Sequence, residues 1–295
     1  MMVTMMQQSR SPLITNKRYK QIMKKILLLI ISSICLFSSF ISYANLLISP
    51  TRIVFEERQR IAKVIVVNNS EEYKTYRLEW QEKKARTYGG YTDLKSTEVN
   101  PSAISGLVRL SPSQIRLAPG ERQVIKVALR KPRDLQDKEY RSHLVFKALP
   151  NEADKKAGFG IRLDLILSYS IPVIFRKGST EPVVKFTKVS IEKNKKQPSL
   201  AMTLNRSGNF SSFGKIEVFL KEYGSNKERK IAMLNDFSIY PELNKAALSL
   251  PLFQGETLAK KGQLRIVYSG LNEYQGVIFN EKTAELKPTG LGVLK

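Results

Sequence analysis

Few side chains in this 295-residue chain have the type and spacing that chemistry requires. It holds one histidine, His143, in the middle of YRSHLVF, and one cysteine, Cys35, inside an apolar run. A lone histidine on an extended segment reads as a packed or surface side chain, because acid–base work needs a second group to orient or charge the ring. The sequence contains no glycine-rich phosphate loop, nucleophile elbow or HExxH pair. Its carboxylates are scattered and show no metal-ligand spacing. The reading is a protein that is not an enzyme, with no metal and no cofactor. Arg52, in SPTRIVF, is left for recognition chemistry. If Ile53 or Val54 faces the core, a strand arginine at a cleft can grip a carboxylate through two parallel hydrogen bonds. The other reading is one exposed cation among many.

The elements that would position these residues are strands. Residues 161–175 read IRLDLILSYSIPVIF, with apolar side chains at every odd position from Ile161 to Phe175. A period of two is the strand signal, since successive side chains point to opposite faces. Fifteen residues would span about 50 Å, several times a usual strand. Such a strand can complete one core with Ile171, Val173 and Phe175 and still offer Ile161, Leu163, Leu165 and Leu167 to something else; alternation alone does not say whose core they fill. Most of 46–175 alternates in the same way: ANLLISPTRIVF, then residues 61–67, then 73–82 with Tyr76, Leu78 and Trp80 on one face. Gly89-Gly90 and Ala118-Pro119-Gly120-Glu121 break the runs. A second set of runs begins near Val183 and is punctuated by glycines to residue 285. Strands at this spacing predict an antiparallel all-β fold of two sandwiches. The joint falls near residues 176–179, which sets the domains at 45–177 and 178–295. A short linker favours a defined angle and a cleft.

Residues 1–44 contain no acid, and Lys24-Lys25 precede the apolar run 26–37, followed by Ser42-Tyr43-Ala44. That is the layout of a secretory signal peptide cut after Ala44, too short for a confident membrane span. Residues 1–22 read as an upstream extension, with Met23 as an alternative translation start. Past residue 44 no cysteine remains, so folding there rests on apolar cores rather than disulfides. Six of the 49 basic residues and none of the 26 acidic ones precede residue 45, which leaves a formal charge of +17. The charges are dispersed, with short clusters such as 193–196 and no aromatic-interleaved basic motif, so they read as a solvated surface and not as a nucleic-acid site.

Several segments together resemble the periplasmic pilus-assembly chaperones of the PapD type. ISPTRIVFEE is similar to that family's first strand with its cleft arginine. SPSQIRLAPGERQVIKVAL resembles its mid-domain segment, and YRSHLVFKALP with FGIRLDLILSYSIPVIFRK resembles the last two strands of its first domain. LRIVYSGLNEYQGVIF resembles the close of its second domain.

The resemblance implies two immunoglobulin-like sandwiches set as a boomerang. It also implies a periplasmic chaperone that lends a strand to exported pilus or fimbrial subunits lacking their own last strand and delivers them to an outer-membrane usher. The donor row would be Ile161, Leu163, Leu165 and Leu167. Arg52 would anchor the subunit's terminal carboxylate, and Arg176 with Glu273 would pair across the two domains. Two departures stand out: Pro172 occupies the place of the family's second cleft cation, and the acid expected on the preceding strand aligns with Arg141, with Glu139 close by. The runner-up is a structural or adhesive sandwich protein of the envelope with another client. Neither reading involves nucleic acid, or stable membrane insertion once the signal is removed.

Overall fold

The computed structural model describes residues 23–25, 46–56, 58–95, 97–150, 167–178, 181–192, 197–288 and 290–294. The chain divides into two units, Met1–Ala44 and Asn45–Lys295. In the first unit only the helical residues 23–25 are described, so the expected signal peptide lies almost wholly outside the described residues. Among the described residues, no helix is long and apolar enough to cross a membrane.

The second unit is built from strands. Its first part contains β1 (Leu46–Ser49), β2 (Ile53–Phe55), β3 (Ile61–Asn68), β4 (Lys74–Gln81), β5 (Lys83–Ala85), β6 (Tyr91–Asp93), β7 (Val108–Ser111), β8 (Gln114–Leu117), β9 (Arg122–Leu129), β10 (Glu139–Leu149) and β11 (Ser168–Arg176). One sheet has the order β1-β3-β9-β7 and the other β2-β11-β10-β4-β8. Period-two side chains from both meet in one core: Val64, Val66, Ile125 and Val127 from the first sheet, and Phe55, Tyr76, Leu144, Phe146, Val173 and Phe175 from the second. Tyr76 and Leu78 are buried as their spacing predicts, and Trp80 packs against them half-buried.

ANLLISPTRIVF is not one strand. β1 pairs antiparallel with β3, whereas β2 runs parallel to β11 at Val173–Phe175, so the chain changes sheets between Ser49 and Ile53. Pro50 lies in this crossing, where a missing N–H costs no ladder bond.

The second part comprises β12 (Val183–Glu192), β13 (Ser199–Ser207), β14 (Ser212–Glu222), β15 (Glu228–Ile239), β16 (Lys245–Pro251), β17 (Gly262–Gly270), β18 (Ile278–Lys287) and β19 (Gly290–Leu291). Its sheets run β12-β13-β16 and β15-β14-β17-β18-β19 around a core that includes Leu200, Leu204, Ile216, Val218, Ile266 and Tyr268. The last long strand begins at Ile278, after the 3-10 turn Asn272–Tyr274. The architecture is all-β: two sandwiches, each with its own core.

One face departs from simple alternation. In β10 every residue from Glu139 to Phe146 is buried. Tyr140, Leu144 and Phe146 enter the first core, while Glu139, Arg141 and His143 lie on the opposite face and are covered as well. Ile174 of β11 is fully buried in a small cluster with Ala85 and Tyr240, which brings residues of both parts together. Phe146→Ala is expected to lower stability by about 3–5 kcal/mol through the cavity it leaves, read as a lower urea midpoint.

Candidate functional site: the cleft and its charge network

Arg52 lies where the chain crosses between sheets, and its side chain is only 6% exposed. Nη1 reaches Ser238 Oγ and Tyr240 OH, each at 3.4 Å. Nη2 reaches Ser211 Oγ at 3.5 Å and Glu273 Oε1 at 3.2 Å, and the guanidinium stands 4.4 Å from the Phe213 ring centroid. Burial disfavours its charge, but Tyr240, Glu273 and Glu139 outweigh that effect and raise its pKa above the ordinary value. Arg52 is therefore not a solvated surface cation. It is charged, buried and already partnered.

The same carboxylate oxygen serves a second arginine: Arg176 Nη1 lies 3.0 Å from Glu273 Oε1. Arg176 Nε donates to Glu139 Oε2 at 2.9 Å, and Nη2 to Ser211 Oγ at 3.1 Å. Glu139 Oε2 also accepts from Ser211 N at 2.9 Å and Ser211 Oγ at 2.8 Å. The result is a chain of alternating charge, Glu139–Arg176–Glu273–Arg52, carried on β10, on β11 and on the crossing before β2 in the first part, and on the 3-10 turn Asn272–Tyr274 in the second. Strand register explains its acidic end: Glu139 of β10 faces Arg176 of β11 directly. The acid partner on the preceding strand is thus Glu139, and the alignment that put Arg141 there was two residues out. Arg141 makes a separate contact, with Nη2 2.5 Å from Glu242 Oε1 and its guanidinium 3.7 Å from the Tyr240 ring centroid. Burial pushes the Glu242 carboxyl up, but Arg141 more than offsets it, and its pKa falls below the usual range.

His143 is 1% exposed and stands edge-on to Tyr91 at 4.6 Å between ring centroids, with neither ring nitrogen hydrogen-bonded. Burial, with Arg141 and Lys83 adding to it, lowers its pKa to about 3. This is a packed neutral ring with no orienting partner. Among the described residues, no group of three side chains suits a metal ion.

A cleft of about 490 Å³ opens beside this network, lined by Arg52, Phe213, Tyr240, Arg86 and two residues of β11, Ser170 and Pro172. On one side β11 pairs with β10 along its whole length, Ser168–Arg176. On its other side β2 pairs only with Val173–Phe175, so among the described residues the edge at 168–172 has no strand partner. Leu167, just before β11, is 45% exposed. The other three members of the expected donor row, Ile161, Leu163 and Leu165, lie outside the described residues.

Sequence reasoning noted Glu139 only as close to the expected acid, and it missed Ser211, Tyr240 and Arg86. A two-residue shift along β10 was the only available signal, and it concerned Glu139 alone.

Residues 45–179 match the family model described as pili and flagellar-assembly chaperone, PapD N-terminal domain. Solved structures share the overall likeness at low identity. The YadV chaperone is 14% identical, covering 82% of this chain and 100% of its own, with a TM-score of 0.43. A structure of the Salmonella enterica SafA pilin in complex with the SafB chaperone matches at 12% identity over 80% of this chain and 93% of that one, with a TM-score of 0.44. The CsuC–CsuE chaperone–tip adhesion subunit complex of Acinetobacter baumannii matches at 14% over 83% and 99%, with a TM-score of 0.41. No curated protein matches the chain.

Two outcomes follow from this geometry. Arg176→Ala leaves Glu139, 1% exposed, without its counter-ion, and should cost about 3–5 kcal/mol by urea unfolding. His143 takes a proton near pH 6.5 when unfolded but only near pH 3 in the fold. The stability that its neutral ring contributes is complete above pH 6.5 and falls by about 1.4 kcal/mol per pH unit below it. Unfolding at pH 6.5 and pH 5 should therefore differ by about 2 kcal/mol more in the native protein than in His143→Phe.

Proposed function

We propose that this protein is a non-enzymatic periplasmic chaperone of exported pilus or fimbrial subunits, acting by lending them a strand before delivery to an outer-membrane usher. The observation that carries the reading is β11. Its edge at 168–172 has no strand partner among the described residues, and its apolar alternation continues back in the sequence through Leu167, Leu165, Leu163 and Ile161. An open sheet edge next to a row of apolar side chains is an aggregation hazard, and strand addition to a partner is the use that fits both features. The family match over 45–179 supports this reading.

In this mechanism a subunit with an incomplete sandwich pairs its backbone with the lent strand, and the leucines enter its open groove. Each leucine fully buried there contributes about 1.5–3 kcal/mol before the cost of association. Arg52, which lines the cleft, is the proposed anchor for the subunit's terminal carboxylate. Arg176 and Glu273 are the proposed pair that holds the domains 45–177 and 178–295 in register while the client is bound. No ATP is needed, because the client's unfinished core stores the driving force for its later transfer to another subunit's strand.

The test is co-expression with a strand-deficient pilus subunit in a periplasm, followed by size-exclusion chromatography. The native protein should give a 1:1 complex, and Leu165→Glu should lose it while still folding alone. A complex unchanged by Leu165→Glu would remove the donor assignment and favour an envelope sandwich protein with another client.

A further inference from the structure

The two arginines of the cleft differ in how their charge is met. Arg52 belongs to the chain Glu139–Arg176–Glu273–Arg52, in which two positive charges face two negative ones. That cluster is balanced before any ligand arrives, so an incoming anion must compete with Glu273 for Arg52. Arg86 lines the same cleft from the β5–β6 hairpin, is exposed, and makes no ion pair or side-chain hydrogen bond among the described residues. Among the described residues the one acid lining the cleft is Asp236, and no ion pair joins it to either arginine.

The backbone that carries Arg86 is held firmly. Arg86 N donates to Gly90 O at 3.1 Å, and Gly89 N to Arg86 O at 3.0 Å. Gly89 and Gly90 have φ of 86° and 75°, the left-handed region that glycine enters at little cost and that tight hairpin turns need. The flanking residues are tied to the second part of the chain: Ala247 N donates to Thr87 O at 2.7 Å, and Ala85 N to Glu242 Oε1 at 3.0 Å. The hairpin thus presents an uncompensated guanidinium from a fixed base, at a cleft that also includes Ser170 and Pro172 of the open strand edge.

We infer that Arg86 receives the carboxylate at the end of a bound client chain, beside Arg52 and from the hairpin rather than from β11, where Pro172 offers no charge. This rests on the strand-lending reading above. A charge-assisted bond from an unpaired arginine gains more than one that must first displace an existing counter-ion.

The probe is a fluorescein-labelled nonapeptide of alternating valine and threonine, prepared with a free C-terminal carboxylate and as the C-terminal amide, with binding read by anisotropy at low salt. The carboxylate form should bind the native protein about tenfold more tightly than the amide. Arg86→Ala should bring that ratio to about twofold or less, and Arg86→Lys should keep part of it. Circular dichroism should show both variants folded, since the side chain is exposed. A native protein that binds both forms equally, or an Arg86→Ala variant that keeps the full ratio, overturns the assignment of Arg86 and leaves the strand edge untouched. A native protein that binds neither form overturns the strand-edge reading and this inference with it.

Discussion

Two buried guanidinium groups share one carboxylate oxygen, and the arrangement of the whole chain past residue 45 turns on that contact. Glu273 stands between Arg52 and Arg176, and Glu139 closes the row from the far side of Arg176. Removing water from charges like these costs several kcal/mol each unless every one finds a partner. The partners here come from both sandwiches: Glu139, Arg176 and Arg52 from the first, and Glu273 and Ser211 from the second. The charges are well satisfied only when the two sandwiches meet in one way. A hydrophobic contact of the same area would tolerate sliding, whereas an ion row with fixed hydrogen-bond directions does not.

The remaining contacts of the junction follow from that meeting. Once Glu139 is committed to Arg176, the next outward residue of β10, Arg141, comes under Tyr240 and Glu242, and the one after it, His143, under Tyr91. The β5–β6 hairpin reaches over the same ground, with Tyr91 OH donating to Tyr240 OH at 2.9 Å. The outer face of a five-stranded sheet, which would be wet in a lone sandwich, becomes an interior of mixed polarity. Its cost is visible in a histidine kept neutral and in buried nitrogens of Arg52, Arg141 and His143 that find no acceptor.

Alternation made the cores legible in advance. Tyr76 and Leu78, and Ile171, Val173 and Phe175, are inside because each strand has one face turned to the opposite sheet, and a period of two records that face directly. The outer face of β10 was not legible, because its burial is imposed by residues far away in sequence, from Tyr91 over His143 to Glu242 against Arg141, and no local pattern carries that information. The pairing of Glu139 with Arg176 depends on strand register, which a one- or two-residue slip in alignment changes without altering the hydrophobic pattern nearby. Arg86 was hidden for a different reason. Gly89-Gly90 marked a break, which is correct, but a turn signal says where a chain reverses and not what it leans against.

The brevity of β2 has a geometrical consequence. It runs parallel to β11 for three residues and, traced backwards from Ile53, leaves the sheet at once through Arg52 and Thr51. Any strand laid along the edge at 168–172, which has no strand partner among the described residues, must therefore stop where β2 starts. β2 works as an end-stop, like the fence of a ruler, and the guanidinium of Arg52 is set at the fence. On the strand-lending proposal, a guest strand would be measured from its own terminus, and its alternate side chains would fall into step with β11 by counting back from that point.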